Sequence, residues 1–256
     1  MKKTIVFLFA VFLSTSVLFA GCGDDEKKKL NGNMVTDAHA TTDEAGRVLH
    51  SLLDQDNCYY EYADDDEEQQ YPLAMYECDS SGVILNKDFY EYDKNGNEIK
   101  HIHYEGDIFD YTEIEEYDKN NNQVKIITYA GEEKRENLSQ TLVLKYNKNG
   151  NVIECRAYDS DNALDNYDIT KYLTINGEEL IKSVTSYDNT NNVTSKTIYS
   201  YRSDGTNSQD VRTVYDNDGK ISYKAVTGYD SEGTANDYKF YDADGNEIDD
   251  PESDVE

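Results

Sequence analysis

The sequence predicts an all-β fold: an extended, twisted antiparallel meander of repeated hairpins, with one short N-terminal helix. Three observations lead there. From Cys78 onward an anchor residue, almost always tyrosine, returns ahead of a turn-like cluster at steps of 12 to 17 residues, a span that suits one strand and one reversal. In most units Asp or Asn follows the anchor, and Gly or Asn stands three residues further on. Both prolines, Pro72 and Pro251, lie outside this stretch, so ladder hydrogen bonds can run through it uninterrupted.

The chain opens on Met1-Lys2-Lys3, a short positive start, and Thr4 to Phe19 is almost wholly apolar. That is the charged-then-apolar order of a secretory signal. An apolar core of about 16 residues is short for a bilayer span, which needs roughly 20, and this weighs against an uncleaved anchor. The run ends at Leu18-Phe19-Ala20-Gly21-Cys22, which resembles the lipobox of bacterial lipoprotein precursors, with Phe19 where leucine is commoner. The resemblance implies cleavage before Cys22 and a diacylglyceryl group on its thiol. Two acyl chains anchor stably where one is marginal. Residues 1–21 then form a lipoprotein signal peptide, and the protein is exported and lipid-anchored to the bacterial cell membrane or envelope.

Residues 22–41 read as a flexible tether, because Gly23 to Asn33 is charged and weakly apolar. Residues 42–75 should hold a short helix, a first strand and an acidic loop. Thr41 and Glu44 offer a capping box, and Val48, Leu49, Leu52 and Leu53 recur at helical spacing, which predicts the helix near 42–54. Cys58 to Tyr62 reads as the strand and Asp64 to Glu68 as the exposed loop. With Cys22 lipidated, three cysteines remain. In an oxidising compartment Cys58 and Cys78 could close a loop of about 20 residues, the alternative being three unpaired thiols.

The repeat domain covers residues 76–248. Its anchors include Tyr92, Tyr117, Tyr146, Tyr158, Tyr187, Tyr215, Tyr229 and Tyr241, and its turn glycines are Gly82, Gly96, Gly150, Gly219, Gly233 and Gly245. A type I turn followed by a bulge residue explains the spacing. Its first position favours Asp or Asn, whose side chain bonds nearby backbone amides, and its last must accept a left-handed conformation. Glycine does this freely and asparagine next best, so Asn121, Asn162 and Asn191 can stand in for glycine. Between turns the chain is rich in Tyr, Ile, Val and Thr, as strands are. With 23 tyrosines and no tryptophan, half-buried tyrosines must supply the bulk of the core. Residues 249–256 are an acidic, disordered tail.

Tyr92-Asp93-Lys94-Asn95-Gly96-Asn97, Tyr215-Asp216-Asn217-Asp218-Gly219 and Tyr241-Asp242-Ala243-Asp244-Gly245-Asn246 resemble the tyrosine-aspartate (YD) repeats of Rhs-type proteins. The resemblance implies a spiralling strip of hairpins. The step here is shorter than that family's, and the repeats suffice for a short strip only, with no shell around another domain. No catalytic residue is carried over.

Composition narrows the functions. The net charge is −29, and losing Lys2 and Lys3 with the signal peptide makes it −31, which excludes nucleic acid as a partner. His101 and His103 lie two apart in a strand and share a face, where Glu105 or Asp107 could join them on a metal. Without a third ligand at informative spacing they read as imidazoles on a solvated strand, so no metal and no cofactor is expected. Among 53 acidic residues a glycosidase-like pair cannot be told from background, and no histidine pairs with a nucleophile, so no enzyme is expected. Asp-rich turns allow weak calcium binding, although the EF-hand spacing fails. The expected function is noncatalytic binding of a glycan or protein partner by the sheet. The alternatives are a spacer without a ligand and, third, an unrecognised hydrolase.

Overall fold

A computed structural model describes residues 40–63, 66 and 69–251. The expected signal peptide, Cys22, the expected tether as far as residue 39, most of the expected acidic loop and residues 252–256 lie outside the described residues. Fifteen strands follow one another: β1 (Cys58–Tyr62), β2 (Pro72–Cys78), β3 (Ile84–Tyr92), β4 (Glu98–Glu105), β5 (Ile108–Tyr117), β6 (Gln123–Ala130), β7 (Leu138–Tyr146) and β8 (Val152–Tyr158). The second half holds β9 (Leu164–Ile175), β10 (Glu178–Asp188), β11 (Val193–Tyr201), β12 (Asn207–Tyr215), β13 (Ile221–Tyr229), β14 (Ala235–Tyr241) and β15 (Glu247–Ile248). Each pairs antiparallel with the next, in chain order throughout, and the two end strands do not meet. Among the described residues the substantial strand packing is between chain neighbours, which makes the domain a single-layer strip. At about 4.8 Å per strand it is roughly 65 Å long.

The reversals share one hydrogen-bond scheme. At Asp93 the backbone N–H donates to Asn97 O (2.8 Å) and the Gly96 N–H returns to Asp93 O (3.0 Å). The Asp93 carboxylate meanwhile accepts the N–H groups of Asn95 (2.7 Å) and Asn97 (3.0 Å) through Oδ1. The same pairs recur at Asp118, Asn147, Asp159, Asp188, Asp216, Asp230 and Asp242. The extra residue each turn inserts shifts the register beside the anchor, between Glu91 and Tyr92 for example. Gly82, Gly96, Gly150, Gly219, Gly233 and Gly245 all have positive φ, and so do Asn121, Asn162 and Asn191. Other hairpins turn otherwise, among them β6–β7, whose longer loop holds a 3-10 turn at Arg135–Asn137. Asn176-Gly177, both at positive φ, forms a two-residue reversal between β9 and β10. Gly106-Asp107 joins β4 to β5.

The helix expected near 42–54 does not form; only a 3-10 turn, His50–Leu52, is helical there. Asp43 starts the repeat's own turn instead, accepting the N–H groups of Ala45 (2.8 Å) and Arg47 (3.1 Å), with Gly46 left-handed at φ +76°. The Asp-x-x-Gly signal therefore overrides the apolar spacing, because a left-handed glycine ends any helix. Thr42 and Val48 are bridged across that turn, and the Val48 N–H donates to Gly82 O (2.7 Å). Asp54 and Asn57 build one more such turn just before β1.

Register assigns every strand residue to a face. On the first face Val48, Ala74, Tyr76, Cys78, Phe89 and Ile102 form the buried core, with Val48 and Phe89 each 2% exposed. A chain of ring contacts runs through it, from Tyr59 to Tyr76 (5.8 Å), Phe89 (6.2 Å), Tyr104 (5.9 Å) and Phe109 (4.7 Å). We call this the Phe89 face and its reverse the His101 face. A smaller core, Tyr223, Ala225 and Phe240, closes the far end.

The bridge considered between Cys58 and Cys78 is not formed. Both are free thiols, Cys58 opposing Glu77 in the ladder and Cys78 one pleat further, on the other face. Tyr92, Tyr117, Tyr146, Tyr158, Tyr187, Tyr215, Tyr229 and Tyr241 are all half-buried.

Candidate binding faces

The strip sorts its charges by face. Lys87, Lys100, Lys125, Lys145, Arg156, Lys171, Lys196, Lys224 and Lys239 all fall on the Phe89 face by register, while Lys182 sits at a bulge and Arg212 on the reverse. In the first half these cations are matched, Lys125 to Glu116 (3.0 Å) and Lys145 to Glu154 (2.7 Å). In the second half Lys239 lies 3.8 Å from Glu247, and the other lysines of the row stand apart. Among the described residues Lys171, Lys196 and Lys224 form no ion pair.

The cross-strand row Thr185, Lys196, Thr213, Lys224 runs over β10 to β13. Beside it an open depression is lined by Tyr187, Tyr215, Asn191, Asn192, Lys171 and Lys196. Tyr187 stacks on Tyr167 (4.6 Å, 5° between planes), and the Arg156 guanidinium covers Tyr167 at 4.8 Å. Hydroxyls, amides, ring edges and two ammonium groups thus share one shallow surface.

The His101 face gathers the opposite set in β3 to β6. Asp88 opposes His103, and His101 lies one pleat along, opposite Tyr90. His101 Nε2 is 2.6 Å and His103 Nδ1 2.8 Å from the same oxygen, Asp88 Oδ1, and Asp88 is only 4% exposed. Tyr90 stacks on His101 (4.8 Å) and Tyr111 on His103 (5.0 Å). Burial would push the Asp88 carboxyl up, but the two imidazoles hold it below its ordinary value. Burial would likewise lower His101, yet the hydrogen bond and charge of Asp88 raise it. Glu98 is pushed up to about 7 by burial, with Glu115, Glu113 and Asp88 adding repulsion against the pull of His101. Burial and a like-charged Glu115 raise Glu113 as well.

The sequence alone places His101 and His103 on one face of a solvated strand; the structure half-buries them. Their partner is neither Glu105 nor Asp107: Asp88 arrives from the neighbouring strand, and Asp107 pairs with Lys87 (2.6 Å). The lysine row was missed for the same reason, since its members are 10 to 30 residues apart and meet only through register. The turn carboxylates considered for calcium already accept backbone N–H groups through Oδ1, as at Asp216 and Asp242. Among the described residues, the three-membered group of metal-ligand side chains is Asp88, His101 and His103.

The fold defined by this geometry is an open, single-layer antiparallel meander. No protein-family model and no curated protein matches the chain. Among solved structures it is similar to the crystal structure of TcdB2-TccC3, with TM-score 0.35 and 11% identity, over 74% of this chain and 12% of that one. It is also similar to a porin-like protein from Bacteroides uniformis, with TM-score 0.28 and 10% identity, over 65% of this chain and 80% of that one. The chain thus spans about an eighth of the toxin chain. At such scores no functional conclusion rests on either likeness.

Proposed function

We propose that the protein is a noncatalytic, lipid-anchored protein of the bacterial cell envelope, tethered through Cys22, whose sheet binds a glycan bearing acidic groups. The observation that carries this reading is the run of unpaired lysines on the Phe89 face, alternating with threonines and flanked by Tyr187 and Tyr215. In a chain of net charge −29, lysines that form no ion pair among the described residues are an exception that selects an anionic partner. Ring surfaces, hydroxyls and amides suit sugar rings and their hydroxyl groups. The open shape suits a polymer lying across strands better than a small molecule enclosed in a pocket.

A glycan array comparing acidic with neutral polysaccharides tests the idea. Acidic glycans should be retained, and Lys196→Glu should weaken them about tenfold, or about 1.4 kcal/mol. Equal retention of neutral glycans, or no loss in that variant, overturns it. A spacer without a ligand is the second reading. It is favoured by one observation: the hydroxyls of Tyr92, Tyr146, Tyr172 and Tyr201 donate to backbone carbonyls of the sheet itself. Silence across the array would favour that role.

A further inference from the structure

The His101 face carries a second, chemically distinct feature, independent of the glycan reading. We propose that Asp88, His101 and His103 form a binding site for a borderline divalent transition ion of the zinc class.

Three donor atoms, two imidazole nitrogens and one carboxylate oxygen, lie within 4.8 Å of one another. Nitrogen and oxygen donors in this ratio suit zinc and its neighbours, whereas calcium and magnesium take oxygen ligands. The donors converge because of strand register. Asp88 and His103 are directly opposed, and His101 shares their face across the same pair of strands. The supports, β3 and β4, are extended strands paired on both sides, and Tyr90 and Tyr111 stack on the imidazoles and fix their planes.

The spacing is close to what an ion requires. Donors held about 2.0 Å from a tetrahedral ion sit about 3.3 Å apart. Both nitrogens now lie 2.6 and 2.8 Å from Asp88 Oδ1, so admitting an ion widens each gap by roughly half an ångström. Small rotations of two side chains provide that. In the bound form His101 Nε2 and His103 Nδ1 carry no proton, and the other ring nitrogen of each is the N–H. Each imidazole keeps about 20% of its side chain exposed, which gives the ion an approach and leaves a fourth position for water. An ordinary ion pair would explain one imidazole on Asp88, whereas two imidazoles aimed at a single buried oxygen make a trident.

The purified full-length chain in detergent, stripped with chelator, is titrated with Zn2+ while its four histidine rings are followed by nitrogen-detected NMR. One equivalent should shift His101 and His103 and leave His39 and His50 in place. The double variant His101→Ala/His103→Ala should bind Zn2+ at least tenfold more weakly by calorimetry, with Cys155→Ser unchanged. Co2+ should give visible bands without the strong sulfur charge-transfer absorption of a cysteine site. The NMR arm uses the unaltered chain, so a misfolded variant cannot decide the matter alone. Parallel shifts of all four histidines, no shift at millimolar Zn2+, or unchanged affinity in a folded double variant overturns the assignment.

Discussion

Gly219 stands at φ +74° with nothing within 4 Å of an added Cβ, whereas at Gly82, also left-handed, that Cβ would run into the carbonyl of Val48. The two positions separate backbone strain from collision. Gly219→Val should cost about 1 to 2 kcal/mol, the price of left-handed geometry alone. Gly82→Ala should lower the urea midpoint further, because it also pushes away the segment that seats Val48 in the core. Equal losses would show that Val48 and its neighbours contribute little. Asp188 provides a pH test at the same scale. Thr190 Oγ1 (2.7 Å) and the N–H groups of Asn192 (2.9 Å) and Thr190 (2.8 Å) all donate to its Oδ1 and hold the carboxyl below its ordinary 3.8. A depressed folded pKa contributes stability that is present above 3.8 and disappears as pH falls through the lower folded value. Thermal melts of Asp188→Asn should therefore fall less steeply than those of the parent under acid, and matching slopes would count against the turn bonds.

At the scale of the element, anchors on alternate strands do different work. Tyr92, Tyr117, Tyr146 and Tyr201 close odd-numbered strands and point to the His101 face, while Tyr158, Tyr187, Tyr215 and Tyr241 lie on even-numbered strands and the Phe89 face. Tyr201 OH reaches Ile181 O (2.8 Å) and Tyr146 OH reaches Gln123 O (2.6 Å), each on the preceding strand. These hydroxyls satisfy carbonyls beside the bulges, where the ladder is interrupted. Tyr201→Phe should cost about 1 kcal/mol. Tyr158→Phe removes no such bond among the described residues and should shift the melting temperature less. Turn positions were legible in the chain because an Asp, an Asn or a Gly acts within five residues. The segment 42–54 was misread because Val48, Leu49, Leu52 and Leu53 fit a helix when the Asp43-to-Gly46 turn is overlooked. No tyrosine precedes that turn to advertise it.

For the whole molecule, a single-layer strip means that each strand leans only on its neighbours, as in other repeat architectures. Amide exchange should be slowest in β2 to β5, around Tyr76, Phe89 and Ile102, and fastest in β14 and β15, where residues 235–238 are exposed. Uniform protection along the strip would contradict the stacked, nearest-neighbour picture. Cys22→Ser should abolish labelling by a fatty-acid probe and release the protein from cells, and labelling that persists would dismiss the lipid anchor.

The chain by itself determined the rhythm of strands and reversals, the left-handed turn positions and the dependence on tyrosine. All of these are set by contacts within a few residues. Only the tertiary structure decided which face each side chain occupies, because register depends on bulges and loop lengths summed over neighbouring strands, and a single-residue slip inverts the outcome. That is why the lysines gather on one side, why Asp88 lies beneath two histidines 13 and 15 residues away, and why Cys58 and Cys78 remain apart.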